Sequence, residues 1–140
     1  DIAHITRKDL NDYEDQYSVY QKFTSMLSKY VDIFSKTDKI FIAGYNTIPF
    51  DNNFMRNFFK MNVSDIGTKM NYGSFFWQNG IDVMSLSSFR LMEERPSMEN
   101  FKQSTVASAL GIQVDECRLH NATYDVDLSI EIYKKLDGKW

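Results

Sequence analysis

The chain is poor in cysteine, proline, glycine and excess positive charge, and each shortage excludes something. One cysteine, Cys117, in 140 residues leaves no partner for an intrachain disulfide and no thiolate pair for a metal cluster, which fits a reducing, intracellular setting. Two prolines, Pro49 and Pro96, and six glycines leave no flexible linker, repeat or low-complexity tract, so a single domain over residues 1–140 is expected. No apolar run, including Lys39-Ile40-Phe41-Ile42-Ala43-Gly44-Tyr45, approaches the ~20 residues that span a bilayer, and no basic-then-apolar leader opens the chain. A soluble, cytoplasmic protein with no membrane partner is therefore expected. A net charge of −3 and a pI near 5.3 exclude affinity built on a broad basic surface. They leave room for a nuclease whose carboxylates hold cations, because bound metal ions then supply the positive charge that meets phosphate. A Ser-His-Asp arrangement, a Gly-rich phosphate loop and zinc-ligand spacing are absent, and His4 has no acidic or thiol partner at ligand spacing.

What the chain does have is apolar material, 43% hydrophobic and 15% aromatic, enough for one core. A short capped turn is expected at residues 6–9. Val19, Phe23, Met26, Leu27, Tyr30 and Phe34 then recur on one helical face, which predicts a helix over 18–34 with Ser18 as its cap. Residues 39–44 read as a buried strand. Pro49, followed by Phe50, Phe54, Met55, Phe58 and Met61, predicts a second helix with Asp51 in its first turn. Residues 62–80 read as a loop whose aromatic cluster, Tyr72, Phe75, Phe76 and Trp77, covers the core. A short strand or helix lead-in at 81–84, a helix to about 92, a turn at 93–97, a helix over 98–110 ended by Gly111, and a last helix over 122–136 complete an α/β pattern. Ligands in such folds bind beyond strand carboxyl ends, where Asn46 and Asp51 stand.

Asp51 and Asp125 each have an ordinary reason to begin a helix, since a carboxylate there complements the helix dipole. Their wider contexts add more. Gly44-Tyr45-Asn46 with Phe50-Asp51-Asn52-Asn53-Phe54, and His120-Asn121-Ala122-Thr123-Tyr124-Asp125 with Ser129, resemble the second and third motifs of the DEDDh 3′→5′ exonucleases. That family includes proofreading subunits of bacterial replicative polymerases, RNase T and oligoribonuclease. The segment Ala109-Leu110-Gly111-Ile112 and the acidic position Asp82 also resemble it, and the similarity spans residues 5–136.

The resemblance implies an RNase H-like fold and two-metal hydrolysis of a phosphodiester with Mg2+ or Mn2+. It casts Asp51 and Asp125 as catalytic metal ligands and His120 as general base, since an imidazole can exchange a proton at physiological pH. Asn46, Phe50 and Phe54 become candidates to shape a pocket for the terminal nucleotide, although core packing is the expected use of the two phenylalanines. The implied partners are a single-stranded 3′ end of DNA or RNA and a polymerase subunit. The family's first motif, Asp-x-Glu closing an apolar strand, has no counterpart. Asp12-Tyr13-Glu14 has the order, but polar residues precede it and no small hydroxyl residues follow. The first three strands of the fold are expected to be missing with that motif, because the chain opens near the turn that follows them, at Ile5-Thr6 and Asp9-Leu10. The chain is therefore expected to be inactive alone, and to need those strands or another chain to cover the edge at Ile40, Phe41 and Ile42. The alternative is a noncatalytic, truncated module that binds protein or nucleic acid.

Overall fold

The computed structural model describes residues 12–63 and 70–137. Outside them lie the turn expected at 6–9, the matches at Ile5-Thr6 and Asp9-Leu10, and His4. The protein is mixed α/β, mostly helical, with a two-stranded parallel sheet. Two buried clusters form in place of the single core expected, one in each of two compact units. The first unit is drawn from Asp1–Ile42 and Ile48–Gly80, the second from Ala43–Thr47 and Ile81–Trp140. No helix among the described residues is long and apolar enough to cross a membrane.

In the first unit α1 spans Gln16–Leu27, and its cap is Asp15 rather than Ser18. The Asp15 carboxylate accepts the N–H groups of Tyr17 and Ser18, both at 3.0 Å. The helix stops at Leu27, about two turns before 34, and residues 32–38 find other partners. Asp32 N–H donates to the Asp38 carboxylate at 2.8 Å, Phe34 N–H to the Asp32 carboxylate at 2.9 Å, and Asp38 N–H to the Ser35 hydroxyl at 3.1 Å. Side chains that satisfy backbone groups locally compete with the helical ladder, and here they win. Tyr30 and Phe34 are consequently exposed, while Val31 is buried.

Helix α2 covers Asp51–Asn62, with Asp51 in its first turn and Lys60 in its last, both favourable to the helix dipole. Helix α3 is the single turn Tyr72–Phe75, capped by Asn71. Phe59 is the hub of this unit's core: the rings of Tyr20, Tyr72 and Phe76 meet it nearly perpendicularly, with centroids 5.6 to 6.0 Å away. Tyr72, Phe75 and Phe76 are thus core residues, as expected for the aromatic cluster. Ile40 N–H donates to the Phe75 carbonyl at 2.9 Å and its carbonyl accepts Trp77 N–H at 3.0 Å, a single parallel bridge. The run at 39–44 is therefore no continuous strand. Ile40 and Ile42 pack against the aromatic cluster instead of lying bare, and Phe41, turned outward, stacks on Trp77. Gly80 passes so close to this segment that a Cβ there would lie 2.6 Å from the Ile42 carbonyl oxygen.

In the second unit β1, Ala43–Gly44, pairs in parallel with β2, Ile81–Asp82, in the register Ala43 to Ile81 and Gly44 to Asp82. Asp82 then caps α4, Val83–Arg90, accepting Ser85 N–H at 3.1 Å. A 3₁₀ turn at Arg95–Ser97 leads to α5, Gln103–Ala109. This helix begins five residues later than the apolar pattern predicts, because Met98 is extended and the Asn100 side chain draws Lys102 N–H, at 3.0 Å, and the Thr105 hydroxyl. It closes as expected: Gly111 takes φ +71° and Ile112 N–H reaches the Ala107 carbonyl at 2.9 Å. A second 3₁₀ turn, Glu116–Arg118, precedes α6, Ala122–Asp137. Leu128, Ile132 and Leu136 form its buried stripe and pack with Val83, Leu91, Val106 and Ala107. Gly138 and Lys139 lie beyond the described residues.

Candidate functional site

The site in the second unit begins where β1 ends. Beyond Gly44, the Tyr45 hydroxyl donates to the Phe101 carbonyl at 2.7 Å, tying the strand exit to the loop before α5. Burial pushes that hydroxyl's pKa well above the usual tyrosine range, and the nearby Asp82 charge adds to the shift, while Arg95 opposes it. Asn46 follows with φ +58°, in the left-handed region.

The opposite wall is the entry to α6. Asn121 caps the helix, its side-chain oxygen accepting Thr123 and Tyr124 N–H at 3.1 and 3.2 Å. The Tyr124 hydroxyl accepts Asp115 N–H at 2.7 Å and its ring lies under the Arg118 guanidinium, 4.6 Å away, so the approaching loop is pinned on both sides. Between loop and cap sits His120 with φ +68°, the second non-glycine residue in a left-handed conformation. Such conformations cost energy for side-chain-bearing residues and concentrate at functional sites. Asp125 occupies the first helical turn. Its carbonyl accepts the Gln103 amide at 2.7 Å and the Ser129 hydroxyl at 2.9 Å, and the same Gln103 nitrogen also reaches Ser129 Oγ at 2.9 Å. This clasp joins the start of α5 to the first turn of α6.

Strand exit, α5 and α6 entry together line a cavity of about 490 Å3 that contains Asn46, His120 and Asp125 along with Lys102, Gln103 and Ser104. Among the described residues, the polar side-chain atoms of Asn46, Lys102, Ser104, His120 and Asp125 make no hydrogen bond or ion pair. Five polar side chains therefore line one cavity, with Asn46, Lys102 and His120 open to solvent.

Phe50, Asp51 and Phe54 belong to the first unit, where they line a wider hollow of about 590 Å3 with Val19, Phe23, Met55 and Phe58. Phe50 and Phe54 are 59% and 65% exposed, so core packing is not their use; their rings stand 5.1 Å apart on the surface. Asp51 is exposed as well. Asp12-Tyr13-Glu14 precedes α1 in a turn, not a strand, and Glu14 pairs with Lys22 at 2.6 Å.

No group of three or more His, Cys, Asp or Glu side chains among the described residues is placed to hold a metal ion. Mg2+ and Mn2+ demand several oxygen ligands around one centre, so the described residues do not by themselves fit the expected pair of ions. No protein-family model, curated protein or solved structure matches the chain. Lys102, Gln103 and Ser104 are the site residues that motif spacing does not indicate, since they reach the cavity through folding and carry no pattern of their own.

Proposed function

We propose that this chain carries the second and third motifs of a DEDDh-type 3′→5′ exonuclease, on the corresponding part of an RNase H-like fold. The observation that carries the reading is the convergence of Asn46 with His120 and Asp125 on one polar cavity although the motifs lie far apart in sequence. His120, exposed and held in a strained conformation at the cavity rim, is the residue to take the proton from a water attacking a phosphodiester, a role typically worth about 10²- to 10⁴-fold in rate. Asp125, fixed by the Gln103–Ser129 clasp, orients that step, and Asn46 holds the terminal nucleotide. Phe50 and Phe54, exposed beside Asp51, are free to stack on bases.

The reading requires further strands along β1, with two more carboxylates, and a second feature supports that demand. Among the described residues β1 pairs along one edge only. Beside it lies an apolar groove of about 210 Å3 that includes Ala43, Gly44, Val126, Ile130 and Tyr133, with Val126 58% and Ile130 45% exposed on α6. A strand seated in that groove would cover those two side chains.

The test uses a protein that contains this chain together with an upstream strand ending in Asp-x-Glu, assayed on 5′-labelled single-stranded DNA and RNA with Mg2+ or Mn2+. Stepwise shortening from the 3′ end is expected, reduced at least about 100-fold by His120→Ala or Asp125→Ala without loss of folding. Undiminished activity in both variants overturns the catalytic assignment. Oligonucleotide binding without cleavage favours the noncatalytic binding module.

A further inference from the structure

We propose that Asn79 is a site of spontaneous covalent modification in the folded protein, converting to aspartate and isoaspartate through a cyclic imide formed with Gly80. The chemistry is independent of the nuclease reading. The Gly80 amide nitrogen attacks the Asn79 side-chain carbonyl carbon, and the new N–C bond closes a succinimide ring. The bond to Nδ2 breaks and ammonia leaves, carrying the amide proton with it. Water then opens the ring at either carbonyl. Opening at the side-chain carbonyl gives aspartate, while opening at the main-chain carbonyl gives isoaspartate, whose backbone runs through the side chain and is longer by a methylene.

Of the chain's asparagines, Asn79 alone precedes a glycine. No Cβ therefore shields the attacking nitrogen or narrows the backbone angles that bring it to the side chain. Asn79 is exposed in a bend between α3 and β2, outside any helix or ladder. Among the described residues neither its side chain nor the Gly80 amide makes a hydrogen bond. The other described asparagines are committed or blocked. Asn53 and Asn62 each donate the side-chain amide to a carbonyl one turn back, at 2.7 Å, and Asn52 is buried against the Tyr72 hydroxyl. Asn71, Asn100 and Asn121 accept backbone N–H groups. Asn57 lies inside α2, where the following N–H belongs to the helical ladder, and Asn46 precedes Thr47, which is β-branched and buried.

The site also sits where the backbone has no slack. Trp77 N–H is held by the Ile40 carbonyl at 3.0 Å, and Arg56 Nη2 donates to the Gln78 carbonyl at 2.9 Å. A Cβ on Gly80 would lie 2.6 Å from the Ile42 carbonyl oxygen. An added methylene among these anchors shifts Gly80 on Ile42 and disturbs a closely packed segment. Aspartate at the same position only places a charge on an exposed side chain, so isoaspartate is the product that loosens the first unit.

The experiment incubates the full folded chain in mildly alkaline buffer and follows each asparagine-bearing peptide by mass spectrometry, with electron-transfer fragmentation separating aspartate from isoaspartate. Asn79 is expected to convert at least about tenfold faster than any other asparagine, a barrier lower by about 1.4 kcal/mol. Asn79→Gln, whose longer side chain must close a larger ring, is expected to abolish the change at that position. Conversion at another asparagine that matches Asn79, or conversion of Asn79 only after urea has unfolded the chain, overturns the proposal. Ion exchange, which resolves the added negative charge, supplies the converted protein for urea unfolding. The isoaspartate form is expected to unfold at lower urea than Asn79→Asp, which should match wild type. Equal midpoints for the two overturn the loosening by isoaspartate.

Discussion

Replacing His120 by glycine is expected to make the protein more stable, and the size of the gain follows from the backbone. His120 sits at φ +68°, where Cβ crowds the following carbonyl, at a cost of about 1–2 kcal/mol for a residue other than glycine. Its side chain is exposed and makes no hydrogen bond among the described residues, so truncation removes little that stabilises the fold. Against the relieved strain stands the greater freedom of glycine in the unfolded chain, about 0.5–1 kcal/mol. The net expectation is a gain of about 0.5–1 kcal/mol for His120→Gly, while His120→Ala keeps the strain and falls about 1 kcal/mol below the glycine variant. Gly111 supplies an internal standard. It has φ +71°, and a Cβ added there would meet no atom within 4 Å, so Gly111→Ala isolates the conformational cost and should also lose about 1 kcal/mol. Urea unfolding, with native-state exchange of the Leu128 and Ile132 amides reporting on the second unit, measures all three variants. If His120→Ala proves as stable as His120→Gly while Gly111→Ala is destabilised, the backbone at 120 is unstrained. A stabilising His120→Gly that also abolished the proposed nuclease activity would show stability given up for function.

The remaining expectations concern the parts that hold the site together. A double-mutant cycle of Gln103→Met and Ser129→Ala should show a coupling of about 0.5–1.5 kcal/mol in α6 amide exchange; additive single effects would mean that the clasp contributes nothing. Tyr45→Phe loses the bond to the Phe101 carbonyl, about 0.5–1.5 kcal/mol at neutral pH. Because the folded state holds the Tyr45 proton at pH values where the unfolded chain has released it, its stabilisation is full below about pH 10 and is lost as pH rises further. Wild type should therefore lose stability more steeply than Tyr45→Phe above that pH, and parallel unfolding curves would contradict the buried hydroxyl. Gly80→Ala forces a Cβ against the Ile42 carbonyl oxygen and should cost about 1–3 kcal/mol by Trp77 fluorescence; an unchanged midpoint would refute that close approach.

Much of the second unit was legible in the residues because its signals are local. The stripe at Leu128 and Ile132 and the Gly111 cap depend on periodicity and backbone chemistry within a few residues, as does the position of Asp51 in a first turn of the first unit. Where prediction failed, a competing local interaction or a distant surface decided the outcome. The Asp32, Ser35 and Asp38 side chains ended α1 early, and Asn100 delayed α5. The run at 39–44 has the composition of a strand, yet among the described residues it gains ladder partners only at Ile40 and at Ala43–Gly44, because pairing depends on what passes alongside.

By itself the sequence determined the helix-forming stripes, the acidic starts of α2 and α6, and the presence of a histidine five residues before Asp125. Those properties are short-range, set by propensity, spacing and charge. Only the tertiary structure decided that Asn46, His120 and Asp125 share a cavity with Lys102 and Gln103, and that Phe50 and Phe54 face outward. Those outcomes depend on which surfaces bury one another, and burial is settled by packing across the fold rather than by neighbours along the chain.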